Sequence, residues 1–170
     1  MVDFFAGQIP TAQQLDDTAL VGTVVAQLRQ TVSQSIANNT PTPLTMDTED
    51  FDLLGGHSTA TNPSRYTCQR EGWYQLAGGV GWVTNATGTH RGCQWRLNGG
   101  LLNGSQQLIP PVTGGIQTIV AARSYMVYMV VGDFVELHGE HAVVPIANLS
   151  TFVTNVGQSN MQVMYAGLPN

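Results

Sequence analysis

Two short stretches of the sequence gather side chains that can bind metal ions or transfer protons. The first is an acidic run formed by Asp47, Glu49, Asp50 and Asp52, and closely spaced carboxylate oxygens are ligands for Ca²⁺. The run does not match the Asp-x-Asp/Asn-x-Asp/Asn-Gly pattern of a calcium-binding loop. We therefore interpret it as a solvated turn that discourages pairing with a foreign strand, with a calcium site as the alternative.

The second stretch contains His138, Glu140 and His141, the densest titratable group of the chain. A zinc site needs three or four convergent ligands, and the spacing is not that of a His-Glu-x-x-His helix. The Pro-Cys-x-x-Cys partner of a zinc deaminase is also missing. The pattern favours structural histidines on a loop over a metal site.

Nucleophile and phosphate motifs are absent as well. Ser105 and Ser150 lack the Gly-x-Ser-x-Gly context of a hydrolase elbow. The glycines of 78–81 fall inside a predicted strand rather than before a helix, so they indicate close approach of strands or subunits instead of a phosphate cradle. The sequence therefore predicts a protein that is not an enzyme and has no cofactor. A hydrolase would need a metal-centred cleft around His138 and Glu140.

Composition narrows the class of partner. Charged residues make up 10% of the 170 residues, against about 25% in an average protein, and the net charge is −5. An acidic chain with six basic residues has no electrostatic footprint for nucleic acid, and no apolar window is long enough to span a membrane. Such a neutral surface is typical of polar sheets or of surfaces buried between subunits. Cys68 and Cys93 are interpreted as buried thiols, with a single disulfide as the alternative.

The elements that position these side chains are predicted to be β-strands. The segment 72–84 alternates, with Tyr74, Leu76 and Trp82 on one face, and Asn98-Gly99 is a hairpin signal. Short strands separated by turn signals are typical of an all-β antiparallel sandwich of the jelly-roll type. The predicted strands are 31–36, 42–46, 64–68, 72–84, 91–97, a short one from 101, a nearly continuous 116–131, 134–138, 149–153 and 161–166, with 139–148 as a loop.

The N-terminal part has a different pattern. Thr11 and Gln14 match a capping box, and the apolar spacing that follows predicts a helix over 12–28, with an extended arm docked on a neighbour as the alternative. The change of pattern near residue 30 predicts two parts. Residues 1–30 form an arm or helix for anchoring or trimerisation, and 31–170 form the β domain. The predicted anchoring residues are Phe4, Phe5, Ile9 and Leu15.

Three motifs in order carry a resemblance to a known fold family. The strand end Arg65–Cys68 leads to Gly72-Trp73-Tyr74, the segment Gly132–Leu137 reads Gly-Asp-Phe-Val-Glu-Leu, and Met161–Ala166 forms a final strand. Over about 31–167 the chain resembles the jelly roll of the complement globular-head and tumour-necrosis-factor superfamily. The resemblance implies a tight homotrimer around a three-fold axis. The candidate residues for its apolar centre are Tyr125, Val127, Met129, Met161, Val163 and Tyr165.

The amino-acid sequence of 34–52, 55–68 and 72–80, and that of the arm AGQIPTAQQL, resembles the sequences of virion proteins from bacteriophages that infect actinobacteria. The resemblance implies a structural protein made in the host cytoplasm and displayed on the virion surface. Its partners would be itself and the major capsid or tail proteins, as a capsid decoration protein, head fibre or minor tail protein. The alternative is a tail-tip module that recognises a host receptor or cell-wall glycan through loops 54–63, 85–92 and 103–115.

Overall fold

A computed structural model of the chain describes residues 9, 11, 15, 18–154 and 156–168. Over these residues the chain forms a sandwich of antiparallel sheets, as the alternating pattern predicts. The strands are β1 (Thr23–Arg29), β2 (Ser35–Ile36), β3 (Thr42–Pro43), β4 (Thr48–Asp52), β5 (Arg65–Thr67), β6 (Gly72–Trp82), β7 (His90–Leu97), β8 (Gly100–Leu101), β9 (Gln107–Ile109), β10 (Thr118–Ala121), β11 (Tyr125–Met129), β12 (Phe134–Ala142), β13 (Leu149–Ser150) and β14 (Asn160–Gly167).

The first sheet has the order β10-β6-β14-β1-β4, and β11 lies beside β10 along the same edge of β6. The C-terminal strand β14 therefore lies in the middle, between β6 and β1. This arrangement joins strands from both ends of the chain, so the sheet is complete only when the last strand is in place.

The second sheet has the order β3-β12-β7-β8, with β5 also beside β12 and β9 beside β7. The long pairing of β12 with β7 runs from Val135 opposite Leu97 to Ala142 opposite His90. A small sheet of β2 and β13 closes one end of the sandwich. The Trp82–Thr151 bridge links β6 to this end.

The core lies between the two sheets and follows the alternation of the strands. Along β14 buried and half-buried residues alternate without interruption, because successive side chains point to opposite faces. Met161, Val163 and Tyr165 point inward and are fully buried. Leu137 and Trp95 meet them from the second sheet, and both are also fully buried. Burial of such large side chains stabilises a fold by roughly 1.5–3 kcal/mol each.

The predicted helix over 12–28 is wrong at its C-terminal end. Thr23–Arg29 is strand β1, which pairs with β14 and β4. Its β-branched residues pack better on a pleated surface than in a helix, and Gly22 has a positive φ that ends the helical turn. Helical structure lies upstream, where the Leu15 amide bonds the Thr11 carbonyl and residues 18–20 are helical. The sheet therefore begins at Thr23, before the predicted domain start at 31.

Other boundaries also differ from prediction. The acidic run is the edge strand β4 rather than a turn, and β9 lies within the predicted loop 103–115. The predicted strand 116–131 is two strands, because both pair with β6 at different heights and the chain steps between them at 122–124. Strand β12 continues to Ala142, beyond the predicted end at His138, since β7 pairs with it along its whole length.

The glycines of β6 permit close approach, as the sequence indicates. A Cβ at Gly78 would overlap the Asn160 carbonyl oxygen, and one at Gly81 would overlap the Gly157 carbonyl oxygen. Both contacts are with backbone, which cannot move aside as a flexible side chain can. Glycine is therefore required where β6 lies against the backbone of β14 and of the loop that precedes β14.

We expect Gly81→Ala to lower the free energy of unfolding by about 1–3 kcal/mol, because the added methyl group forces the backbone near Gly157 to shift. Gly100→Ala is the matched control, since a Cβ there lies 3.3 Å from its nearest neighbour, the Leu97 carbonyl oxygen. Urea denaturation of the two variants at one protein concentration measures the difference. Equal stabilities would contradict the packing described for β6.

Candidate functional site

One part of the first sheet, formed by four of its strands, has an outer face that combines exposed apolar groups with uncharged polar groups, whereas β1 and β4 of the same sheet carry Arg29, Glu49 and Asp50. We call this outer face the apolar face and define it by the outward positions of β6, β10, β11 and β14. None of these positions carries a charged side chain. The residues are Trp73, Gln75, Ala77, Gly79, Ile119, Ala121, Met126, Tyr128, Asn160, Gln162, Met164 and Ala166.

Register places its large side chains side by side. Tyr128 lies opposite Trp73, and their rings meet edge to face with centroids 5.5 Å apart. Met126 and Met164 lie on either side of Gln75, in the neighbouring strands. The Met126 side chain is 50% exposed and Trp73 is 40% exposed. The centre of the face therefore brings aromatic and thioether groups close together, with the Gln75 side chain between the two methionines.

Two amides of the apolar face already have hydrogen-bond partners. Gln162 donates to the Gln27 side chain at 3.0 Å, and Gln75 donates to the Ser124 hydroxyl at 2.9 Å. Covering these amides therefore has a small desolvation cost, whereas the exposed Glu71 carboxylate, which accepts from the Tyr128 hydroxyl, must stay in water at the edge of any contact. Exposed apolar side chains that lie side by side make this face a candidate interaction site.

The predicted trimer residues lie on the opposite side of the same strands. Val127 is 6% exposed, and Met129, Met161, Val163 and Tyr165 are fully buried within the single chain. A side chain enclosed by its own chain cannot contact another copy, so the interface prediction is wrong for these five. Because the side-chain period of a strand is two, the outward surface belongs to their immediate neighbours. The sixth residue, Tyr125, is half-buried and donates to the Asn103 carbonyl at 3.1 Å.

The predicted anchoring residues are only partly described. Phe4 and Phe5 lie outside the described residues. Ile9 is 90% exposed and Leu15 is 54% exposed, so both apolar side chains are accessible to another protein. Their role in anchoring stays a prediction.

Each carboxylate of the acidic run has a protein partner. Asp47 accepts hydrogen bonds from the Thr31 and Val32 amides, and Asp52 accepts from the His57 amide at 2.7 Å. Glu49 bonds the His57 ring at 2.8 Å, and Asp50 pairs with Arg29 at 2.6 Å. Glu49 and Asp52 thus share His57, whereas Asp47 and Asp50 are bonded elsewhere, and the four carboxylates do not form one convergent cage.

Asp47 holds the connection from β1 to the next turn. Burial alone would raise the pKa of its carboxyl, but the Thr31 hydroxyl, the two amides and the Thr48 hydroxyl hold that pKa below the ordinary value. These are hydrogen bonds to the charged form. In the described part of the chain no three His, Cys, Asp or Glu side chains are grouped so that they could hold a metal ion.

The outer face of the second sheet carries titratable groups, which the apolar face lacks. Glu136, His138 and Glu140 point outward from β12, yet each is less than 9% exposed. Glu136 accepts from the Ser64 hydroxyl at 2.7 Å and lies 3.3 Å from the His138 Nε2. Glu140 accepts from the Gln106 amide at 2.9 Å. The predicted loop histidines are therefore strand residues within a hydrogen-bonded network.

Burial alone would raise the pKa of Glu136, but the hydrogen bonds from His138 and Ser64 and the charge of Arg65 hold it below the ordinary value. The carboxylate is thus bound as the anion. Such a group stabilises the fold most when it is ionised.

His141 and Arg91 face inward at the end of the sandwich. The His141 ring packs edge to face against Trp82 and bonds the Ile36 carbonyl at 2.9 Å, and burial lowers its pKa. The fully buried Arg91 guanidinium donates to the Asn85 and Thr87 carbonyls at 2.8 and 3.0 Å. Carbonyl oxygens therefore stabilise this cation and fix the loop that carries them.

Cys68 and Cys93 are free and buried, in agreement with the predicted thiols. Burial raises the pKa of Cys93 to about 12, which keeps it protonated and unreactive at neutral pH. Within the described part of the chain, no helix is both long and apolar enough to cross a membrane.

Two of the three loops proposed for glycan recognition lie far apart. Loop 54–63 leads into β5, beside the start of β12, whereas residues 85–89 lie beside its end at Ala142. The eight residue steps from Phe134 to Ala142 separate these points by about 26 Å. The first loop lines a cavity of about 350 Å³, together with Arg65, Gly132 and Phe134.

The Glu136 network generates a pH prediction. Because the folded pKa lies below the ordinary value of 4.5, the stabilisation is complete above that pH and is lost as the pH falls through the folded pKa. We expect Glu136→Gln to lower the free energy of unfolding by about 1–3 kcal/mol at neutral pH, with a smaller difference in acid.

Urea denaturation from neutral pH into acid tests this expectation. Asp50→Asn is the control, because Asp50 forms a half-exposed ion pair with Arg29 and should contribute less than about 1 kcal/mol. A Glu136→Gln penalty that does not change with pH would contradict the assignment.

Two solved structures resemble the chain over most of its length. The globular domain of zebrafish complement 1qA protein aligns with 8% identity and a TM-score of 0.56, over 86% of this chain and 100% of that one. Murine APRIL aligns with 13% identity and a TM-score of 0.58, over 83% and 98%. These similarities confirm the predicted jelly roll and, at such low identity, show the fold alone. No family model and no curated protein sequence matches the chain.

Proposed function

We propose that the chain is a non-enzymatic structural subunit of a bacteriophage virion, which forms a homotrimer and is displayed on the particle surface. The apolar face is the observation that carries self-association. The similarity of 34–52, 55–68 and 72–80 to actinobacteriophage virion proteins supports the virion assignment. Its role is that of a capsid decoration protein, head fibre or minor tail protein.

Self-association follows from the contrast between the two sheets. Outward positions of the second sheet carry Glu136, His138 and Glu140, whereas those of the apolar face are uncharged. Three copies arranged around an axis can each turn the apolar face toward the others, so that Trp73 and Met126 leave water. Each exposed apolar side chain that is buried contributes roughly 25 cal/mol per Å² of covered area.

The N-terminal arm supports attachment to the particle. The Gly22 amide donates to the Tyr165 carbonyl at 2.8 Å, so the arm joins the sheet at the C-terminal end of β14. Leu20 packs against the core, whereas Ile9 and Leu15 are exposed. The exposed apolar side chains of the arm can therefore contact a capsid or tail protein without displacing any side chain from the core.

We expect Met126→Glu to weaken self-association at least ~100-fold, because each copy would bury an unpaired carboxylate in the interface. Leu101→Glu is the matched control, since Leu101 is 48% exposed and Met126 is 50% exposed, but Leu101 lies on the second sheet. Light scattering over a dilution series measures the mass of each variant. A Met126→Glu protein that associates as tightly as the control would contradict the proposed interface.

Deletion of residues 1–17 should leave a folded, associated β domain that no longer joins particles. A deletion to residue 28 would not test this, because it removes most of β1. The measurement is the number of copies per purified particle when the truncated or full-length protein is supplied to virions that lack it. Normal incorporation of the truncated, folded protein would overturn anchoring by the arm.

Recognition of a host glycan is the second candidate function. It is favoured by the cavity beside loop 54–63, which lies away from the apolar face and stays open when that face is covered. A protein displayed on a virion can carry both functions, because structural contacts and ligand contacts use different sheets.

A further inference from the structure

The cavity of about 350 Å³ lies where loop 54–63 meets β5 and the start of β12. This volume is at the lower end of the range of small-molecule sites, roughly 300–1,000 Å³. Gly55 and Gly132 both line it with positive φ, and a Cβ at either position would meet no atom within 4 Å. Bare backbone at these two points keeps the cavity open.

The walls of the cavity are fixed before any ligand binds. The His57 side chain is fully buried, with its ring nitrogens 2.8 Å from Glu49 and 3.2 Å from the Pro63 carbonyl. The Gly56 carbonyl accepts from the Thr67 amide at 2.7 Å. The Ser58 hydroxyl accepts from the Thr61 amide at 3.1 Å. A loop held at several points loses little conformational entropy when a ligand binds.

Arg65 supplies the charge at this site. Its guanidinium lies 3.8 Å from the centroid of the Phe134 ring, and its Nε lies 3.5 Å from Glu136 Oε1. Glu136 Oε1 also accepts from the Ser64 hydroxyl, and its Oε2 lies beside the His138 ring, so both carboxylate oxygens already have partners. The two terminal amino groups of Arg65 bond no residue that the structure describes. Stacking on the ring holds them as a planar fork, which matches a carboxylate.

The rest of the lining is neutral and polar. Ser58, Thr61, Asn62, Thr67 and Gln69 provide hydroxyl and amide groups. These side chains donate to and accept from hydroxyls. Arg65, whose Nε faces Glu136, is the one arginine in the described lining of the cavity and there is no lysine, so a single guanidinium favours a single carboxylate over a doubly charged phosphate.

We propose that this cavity binds a saccharide that carries a carboxylate. Arg65 pairs with the carboxylate, and the polar side chains of the lining form hydrogen bonds with the ring hydroxyls. This inference rests on the recognition function and not on self-association. A uronic acid and a sugar bearing a lactyl ether share the chemistry.

The test is a titration of the whole ¹⁵N-labelled protein with methyl galacturonide and with methyl galactoside, which differ only at the carboxylate. We expect the galacturonide to bind at least tenfold more tightly and to shift the amide signals of Gly55, Gly56 and Gly132. Arg65→Lys keeps the charge but loses the fork and should weaken galacturonide binding at least tenfold. Arg123→Gln is the control, because Arg123 is an exposed arginine that bonds Gln107 away from the cavity.

Thr61→Trp provides a second variant, because it fills the mouth of the cavity from an exposed loop position without altering Arg65. It should abolish the shifts while thermal unfolding stays unchanged. Equal binding of the two glycosides, or no shift at the cavity amides well above ~1 mM, would overturn the proposal. Either result would leave the mass of the assembly unchanged, so failure here is distinct from failure of self-association.

Discussion

The pairing of β14 between β6 and β1 is the constraint on which the rest of the structure depends. It places the last strand at the centre of the first sheet, where every second side chain must fill the core. Met161, Val163 and Tyr165 do so. The intervening residues must then face outward, and they are Gln162, Met164 and other uncharged groups. One strand thus determines both the core and the chemistry of the outer surface.

The second sheet also has residues that must face outward, but their side chains are of a different chemical type. Its outward residues are ionisable, but Ser64, Arg65 and Gln106 cover and bond them, so the carboxylates of Glu136 and Glu140 are stabilised within one chain. The first sheet has no such cover over Trp73 or Met126. Under the proposed function, this asymmetry places assembly on one side of the sandwich and a ligand on the other side, where the cavity lies.

Much of this fold is predictable from local pattern, and the exceptions have physical causes. Strands β6 and β7 follow a clear alternation, and they were predicted within two residues of their observed ends. The helix predicted over 12–28 covers strand β1, because Val24, Val25 and Leu28 fit either period. Gly22 and the β-branched residues weaken the helix locally, and the pairing of β1 with β14 and β4 decides for the strand. The pairing with β14 is distant along the chain and cannot be read from local pattern.

The candidate sites were harder to predict than the fold. Where both faces of a strand are apolar, as at Met126 and Val127, alternation does not say which face is inside, so the predicted interface fell on the core side. The cavity could not be predicted from the sequence for another reason. Arg65 and Phe134 are distant along the chain and meet only through the pairing of β5 with β12.

Self-association through the apolar face is the central claim, and the mass of the purified full-length chain in solution tests it most directly. Sedimentation equilibrium over a range of micromolar concentrations should give three times the chain mass of 18.2 kDa. A mass of a single chain across that range would contradict the account, because it would leave Trp73, Met126 and Met164 in water with nothing to cover them.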